Sequence, residues 1–266
     1  MFEELQKNAD RFRGFADTYD ETRPKMPSYP AEIAERWLGH KPHTVVDLGC
    51  WTGLSLLVWQ GRAQRIIGVD PSEDMLNCAR AKNLQDTTLI RGFAHETGLP
   101  KAYADVVICS QSFHWMDPQA TLREAGRILK PGGIFATVDC DWPPVCDWRV
   151  EKAYLKLRQR EQELEAELPD IRNTFVRFPK EHHLQNIQQS GQFQYTREIV
   201  FANREEATSR RICGLMLSQG GIQTILRMYP QKIEADMKQF YDTVFRVYGH
   251  TSFQMDFCYR MRLGVK

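Results

Sequence analysis

Long apolar runs are missing from this sequence. No window reaches the roughly 18 uncharged apolar residues that a membrane span needs, so no membrane partner is expected. The start, Met1-Phe2-Glu3-Glu4, lacks the basic-then-apolar layout of a secretory leader. An excess of one charge is missing as well. Lys and Arg number 35 against 34 Asp and Glu, a formal net charge of +1, which gives no broad electrostatic grip on nucleic acid. Cysteine occurs without paired spacing: the count is 7, an odd number that reads as reduced thiols. None is placed like part of a zinc ligand set, and no metal is expected. There is no internal repeat and no low-complexity linker. What remains is a cytoplasmic, soluble chain working at small-molecule scale. Its 266 residues, 42% hydrophobic and 26% charged, suffice for one embellished α/β domain or two small ones.

The stretch that organises the rest is Thr44-Val45-Val46-Asp47-Leu48-Gly49-Cys50-Trp51-Thr52-Gly53. A short β-branched run that stops at a glycine turn reads as a buried parallel strand. The apolar pattern resumes at Leu54 to Trp59, so the turn is expected to open a helix and to point backbone N–H groups over the strand's carboxyl end. Open α/β sheets bind their ligands at that end. Strands follow at Arg65–Asp70, Thr87–Gly92, Asp105–Ser110 and Ile134–Asp139. Between them come a helix opened by Pro71-Ser72-Glu73-Asp74 and another over 119–129, stopped by Lys130-Pro131-Gly132-Gly133. This alternation predicts a βαβ architecture. Beyond it the pattern predicts a charged helix over 148–168, a helix near 180–190, a strand over 193–202, helices over 204–217 and 231–248, and a last strand over 252–263. His182 and His183 sit in a polar helix and read as surface residues.

Two further absences narrow the ligand. The dinucleotide pattern G-x-G-x-x-G needs glycines at 49, 51 and 54, where a pyrophosphate approaches the backbone. Trp51 and Leu54 stand at the last two, which disfavours a nicotinamide or flavin dinucleotide. Asp70 still lies about 20 residues on, where an acid suits a ribose diol. S-adenosylmethionine has such a ribose and no diphosphate.

Four motifs in order carry a family likeness: Asp47-Leu48-Gly49-Cys50-Trp51-Thr52-Gly53, Gly68-Val69-Asp70-Pro71-Ser72-Glu73-Asp74-Met75-Leu76, Ser110-Gln111-Ser112-Phe113-His114-Trp115-Met116-Asp117 and Leu129-Lys130-Pro131-Gly132-Gly133. They resemble class I S-adenosylmethionine-dependent methyltransferases, in particular the small-molecule branch with the ubiquinone/menaquinone-type and trans-aconitate-type enzymes. The leader Phe12 through Pro24, with Tyr29-Pro30, is similar to the start of many members. The likeness spans roughly residues 12 to 140.

The resemblance implies a Rossmann-like seven-stranded methyltransferase fold, α/β, with a mostly parallel doubly wound sheet and an inserted helical cap. Residues 1–43 would be a helical lid, 44–140 and 191–266 the cofactor-binding core, and 141–190 the cap. It also implies cofactor contacts from Asp47, Gly49, Cys50, Gly53, Asp70, Pro71, Met75, Phe93, Ala94, His95, Ser110 and Gln111, with Tyr19 and Arg23 closing over the cofactor. Asp70 would take both ribose hydroxyls; its alternative is a helix N-cap. Met75 lies against adenine or fills core. Family members usually have Asp where Phe93 stands, and glycine where Trp51 stands. Phe93 either stacks on the base or leaves its edge unread; Trp51 either swings into packing or narrows the methionine end. His114 is a candidate catalytic base, or it packs and orients. Trp142, Trp148, Tyr154, Phe175, Arg177, Ser218 and Gln219 are candidate walls for a small-molecule acceptor, or they dock the cap. The implied activity is methyl transfer leaving S-adenosylhomocysteine. The competing readings are cleavage or cyclisation of the cofactor, a non-catalytic sensor, and a tRNA or protein methyltransferase, the last disfavoured by the near-neutral charge.

Overall fold

A computed structural model describes residues 8, 16–173 and 175–266. The leader residues Phe12 to Phe15 lie outside the described residues. The chain divides into two compact units, one of residues 25–140, 177–201 and 259–266, the other of 1–24, 141–176 and 202–258. Residues 202–258 therefore group with 141–176, and 25–43 with the sheet.

The first unit is built on the sheet. The strands of the sheet are β1 (Thr44–Leu48), β2 (Arg65–Asp70), β3 (Thr87–Arg91), β4 (Ala104–Ser110), β5 (Leu129–Cys140), β6 (Tyr195–Ala207) and β7 (Phe253–Val265), in spatial order β3-β2-β1-β4-β5-β7-β6, with residues 202–207 and 253–258 counted in the other unit. β1 pairs in parallel with β2 and β4, β2 with β3, and β4 with β5; β7 runs antiparallel to β5. All five residues of β1 are buried, as expected of a strand covered on both faces. The order reverses between β1 and β4, and at such a switch point open sheets place their ligands. The fold is thus the expected seven-stranded α/β sheet.

Four local expectations are corrected. After Gly53 the chain makes successive three-residue turns, Leu56 N–H to Gly53 C=O and Trp59 N–H to Leu56 C=O, ending in a 3₁₀ turn at Leu57–Trp59. With Gly53 and Gly61 both left-handed, too few residues separate them for a sustained α-helix. The helix Pro118–Ile128 stops before Lys130-Pro131-Gly132-Gly133 as expected, but β5 begins at Leu129, not 134, and carries that stretch as an irregularity in its pairing with β4. β6 runs on to Ala207, so the following helix begins at Ser209, not 204, capped by the Thr208 hydroxyl. A helix also spans Gly220–Met228, where the sequence pattern predicts none.

That last helix belongs to the second unit, with helices Trp148–Glu167, Ser209–Leu217 and Glu234–Tyr248. Tyr154, Phe240 and Ile225 are fully buried there, and the Tyr154 hydroxyl accepts from Gln219 Nε2 at 2.9 Å. A Cβ on Gly221 would run into the carboxylates of Glu161 and Glu165, so glycine lets this helix start against the buried Glu161 without displacing it. Among the described residues no helix is long and apolar enough to cross a membrane.

Candidate functional site

The turn after β1 is wound by three left-handed residues: Gly49 at φ +71°, Trp51 at +52° and Gly53 at +82°. Trp51 thus holds a conformation that normally favours glycine. The winding turns the amides inward, which corrects the expectation of N–H groups pointing out. Gly49 and Cys50 N–H both donate to Val69 C=O, at 2.7 and 3.2 Å, and Gly53 N–H donates to Cys50 C=O at 2.8 Å. A Cβ on Gly49 would lie 2.7 Å from both Met116 Cε and Ser112 Cβ, so this turn is fitted closely against the chain that follows β4.

Asp70 ends β2 and ties two turns together. Its Oδ2 accepts from Trp51 N–H at 3.0 Å and its Oδ1 from Ser72 N–H at 2.9 Å. It is not the helix cap; Ser72 is, opening the helix Glu73–Ala81. Burial raises the Asp70 carboxyl to about 6 against the pull of those two amides. Asp47, in β1, is buried completely and accepts from the Ser55 hydroxyl. Burial raises it to about 7, with Ser55 opposing and Asp70 adding repulsion. Asp47 Oδ1 has no hydrogen-bond partner among the described residues. Neither acid is paired with a lysine or arginine there. Nearby, Met75 and Ala94 are buried, Pro71 is half-buried, and the Phe93 ring stacks on His95 with centroids 5.5 Å apart.

Across the switch point the chemistry differs. Ser110 ends β4; Gln111 follows at φ +56° and donates its N–H to Val138 C=O. A 3₁₀ turn over Phe113–Trp115 then carries His114. Its Nδ1 is 3.6 Å from Oδ1 of Asp139, in β5. Burial first, then Lys180, pushes His114 down to about 3, with Asp139 opposing and Arg177 adding to the fall. Asp139 is only 1% exposed. It meets His183 Nδ1 at 3.0 Å, Lys180 Nζ at 3.2 Å and Arg262 Nη1 at 3.2 Å. Lys180 and the two histidines hold its carboxyl well below the usual range despite burial.

His183 was expected at the surface and is wholly buried. It begins the helix His183–Gln189 and shares the inward face with Ile187, four residues on. That spacing was the available signal; the partner, Asp139, is 44 residues away in sequence. Because an ionised Asp139 only accepts, His183 carries its proton on Nδ1, and its Nε2 is buried without a partner among the described residues.

The remaining predicted residues separate. Arg177 stays with the sheet unit, its guanidinium 5.7 Å from the Trp115 ring centre. Tyr19 and Arg23 belong to the other unit. There Arg23 donates to the Ser218 hydroxyl and carbonyl at 2.7 and 2.9 Å and lies over the Trp142 and Tyr19 rings. Tyr154 and Gln219 are buried in that unit, and Trp148 is 69% exposed. Among the described residues no group of three or more His, Cys, Asp or Glu is arranged to hold a metal.

Residues 46–137 match the model of a family described as a methyltransferase domain. An uncharacterized methyltransferase of Mycobacterium tuberculosis is 36% identical over 112 residues, 42% of this chain and 46% of the relative. A malonyl-[acyl-carrier protein] O-methyltransferase of Serratia marcescens is 29% identical over 169 residues, 58% of this chain and 64% of that protein. The chain thus spans about half the length of the curated relatives it matches. Among solved structures, a type II methyltransferase so described from Anaeromyxobacter dehalogenans aligns with TM-score 0.69 at 19% identity, over 91% of this chain and 97% of that one. The YcgJ protein of Bacillus subtilis aligns with TM-score 0.55 at 18% identity, over 88% and 96%. At those identities the structural likeness speaks for the fold.

Proposed function

We propose, for a chain whose residues 46–137 belong to the methyltransferase domain family, that the carboxyl edge of its sheet binds S-adenosylmethionine and that its methyl group goes to a small-molecule acceptor. The observation that carries this is the pair of buried acids Asp47 and Asp70, neither of them paired with a lysine or arginine among the described residues. A buried carboxyl of that kind favours a ligand bringing positive charge and hydroxyl donors. S-adenosylmethionine has a sulfonium, an ammonium and a ribose diol. Each Asp70 oxygen accepts one amide N–H and keeps acceptor capacity for a hydroxyl.

When bound, the cofactor supplies an activated methyl on a good leaving group. The chain's own part is then to orient and to exclude water, which can lower a barrier by about 7–11 kcal/mol. In this reading Gly49, Cys50 and Gly53 shape the methionine end, while Met75, Phe93, Ala94 and His95 border the adenine. Ser110 and Gln111 edge the side where the acceptor approaches. His114, with Nδ1 toward Asp139, offers Nε2 to that acceptor. At about 3 its ring is neutral at pH 7 and a weak base, so it orients unless something offsets the neighbouring cations.

Calorimetry with S-adenosylmethionine tests the binding. Asp70→Ala should weaken affinity about 100-fold, as loss of two hydrogen bonds to a charged group implies, with the thermal unfolding transition preserved. Unchanged affinity would overturn the ribose assignment. Product analysis tests the chemistry: S-adenosylhomocysteine formed only with an acceptor supports transfer, whereas methylthioadenosine would report cleavage or cyclisation.

A further inference from the structure

We propose that Asp139 is a positioning residue for His114, with His183 as its brace: together they hold the His114 imidazole with its hydrogen on Nδ1 and its lone pair on Nε2. That Nε2 then meets a methyl acceptor rests on the methyltransferase reading; the arrangement behind it does not. Two buried atoms that need each other carry the inference. His114 Nδ1 and Asp139 Oδ1 each lack a hydrogen bond among the described residues, and they lie 3.6 Å apart. Lys180 Nζ, 3.2 Å from the same oxygen, balances its charge without being aligned to donate to it. Unpartnered buried atoms of this kind are costly. A carboxylate offers only lone pairs, and Lys180 with the two histidines keeps Asp139 ionised. A hydrogen on Nδ1 is what avoids setting lone pair against lone pair across that gap. Contacts between groups of a catalytic site are often long in the free enzyme and tighten when a ligand arrives.

The rest of the cluster fixes both partners. Asp139 Oδ2 accepts from His183 Nδ1 at 3.0 Å and from Arg262, in β7, at 3.2 Å, which leaves Oδ1 for His114. His183 is wholly buried, and the Phe113 ring meets it edge-on with centroids 4.9 Å apart, which hems its ring in. On the other side, Phe178 N–H donates to the His114 carbonyl at 2.9 Å, and the Trp115 ring centre lies 4.9 Å from that of the imidazole. Burial, then Lys180, disfavours the charged form of His114, so the ring is neutral at pH 7. Which nitrogen carries the hydrogen therefore decides what the ring can do. With Nδ1–H held, Nε2 receives a hydrogen bond and gives none. In the methyltransferase reading that lone pair aims a hydrogen-donating group of the acceptor.

Nitrogen NMR of the isotope-labelled full chain reads the tautomer directly, with the His114 signals assigned through His114→Gln. The expected result at pH 7 is the Nδ1–H form in at least about tenfold excess, the effect of one charge-assisted hydrogen bond. Asp139→Asn should move the ring to the Nε2–H form, because the amide can turn its own N–H toward Nδ1. His183→Leu should cut the excess about fivefold, since the carboxylate loses one of its two Oδ2 bonds. His183→Asn, whose amide nitrogen stands where Nδ1 does, should restore it. A merely structural cluster would soften the fold in these variants without choosing a tautomer. The parent measurement needs no variant, and the His183 pair decides if Asp139→Asn fails to fold. The proposal is overturned if the parent carries its hydrogen on Nε2, if Asp139→Asn keeps it on Nδ1, or if His183→Leu keeps the parent's ratio. Calorimetry with S-adenosylmethionine on the same samples tests the proposed function separately: absence of binding sinks that reading and leaves the tautomer result standing.

Discussion

Two ends of the same sheet edge bury acids and treat them oppositely. At β1 and β2, Asp47 and Asp70 are pushed up to about 7 and about 6. At β5, Asp139 is held well below the ordinary range. Burial is the largest single influence on all three, and it raises each of them. What reverses the outcome is company: amides and a hydroxyl at one end, two cations and two imidazoles at the other. Among the described residues, no lysine or arginine faces the acids of the first end, whereas Lys180, Arg262 and His183 all meet Asp139 at the second. A sheet edge of this kind has two ends of opposite electrostatic demand.

The largest expected effect breaks the second half of that contrast. Asp139→Asn leaves Lys180 and Arg262 facing a neutral amide in a buried setting. Removing one partner from such a cluster costs about 3–5 kcal/mol, and urea unfolding at pH 7 should show a loss of that size. A loss below about 1 kcal/mol would mean that the cations carry no burial penalty and that Asp139 is not what holds them.

The two ends also differ in how far they could be read from residues alone. Strands β1 to β5 are short apolar runs bounded by turns, a local signal, and Asp70 stood out as an acid closing one of them. Asp139 closes another in the same way and was passed over, because its partners come from distant segments. His183 follows a histidine and precedes Leu184 and Gln185, so its surroundings look solvated; only the spacing to Ile187 hints at an inward face. The helix Gly220–Met228 was hidden for a related reason. Its two leading glycines are local breakers, and the second of them, Gly221, packs against the carboxylate of Glu161, 60 residues upstream. Local chemistry exposed the β1–β2 end. Long-range charge pairing built the other.

The next effect is in pH. A carboxyl raised in the folded state adds stability that is complete below the unfolded value near 4 and is lost as pH rises through the folded one. For Asp70, moved from 3.8 to about 6, the loss amounts to about 3 kcal/mol across pH 4 to 7, with Asp47 falling in the same direction over a slightly higher window. Asp139 has the opposite sign: its contribution is present above about pH 4 and disappears as pH falls below that. Urea unfolding from pH 3 to 8 should therefore show a decline between 4 and 7 that Asp70→Asn flattens, and a separate acid-side decline that Asp139→Asn flattens. If both substitutions flatten the same limb, the contrast between the two ends is wrong.

The smallest effect asks whether the β1–β2 end is held by shape where the other is held by charge. Gly49 and Gly61 are both left-handed, at φ +71° in each case. An alanine at either has to adopt a conformation costing about 1 kcal/mol. At Gly61 nothing lies within 4 Å of the added Cβ; at Gly49 it meets Met116 Cε and Ser112 Cβ at 2.7 Å. Overpacking of that kind adds about 1–3 kcal/mol, so Gly49→Ala should destabilise by about 2 kcal/mol or more and Gly61→Ala by about 1. Met116→Ala removes the side-chain end that Gly49→Ala strikes, so the double variant should recover part of the loss, a coupling that thermal unfolding can measure. Equal costs at Gly49 and Gly61, with no recovery in the double variant, would show that backbone conformation alone selects glycine in the turn and that the fit against the chain after β4 contributes nothing.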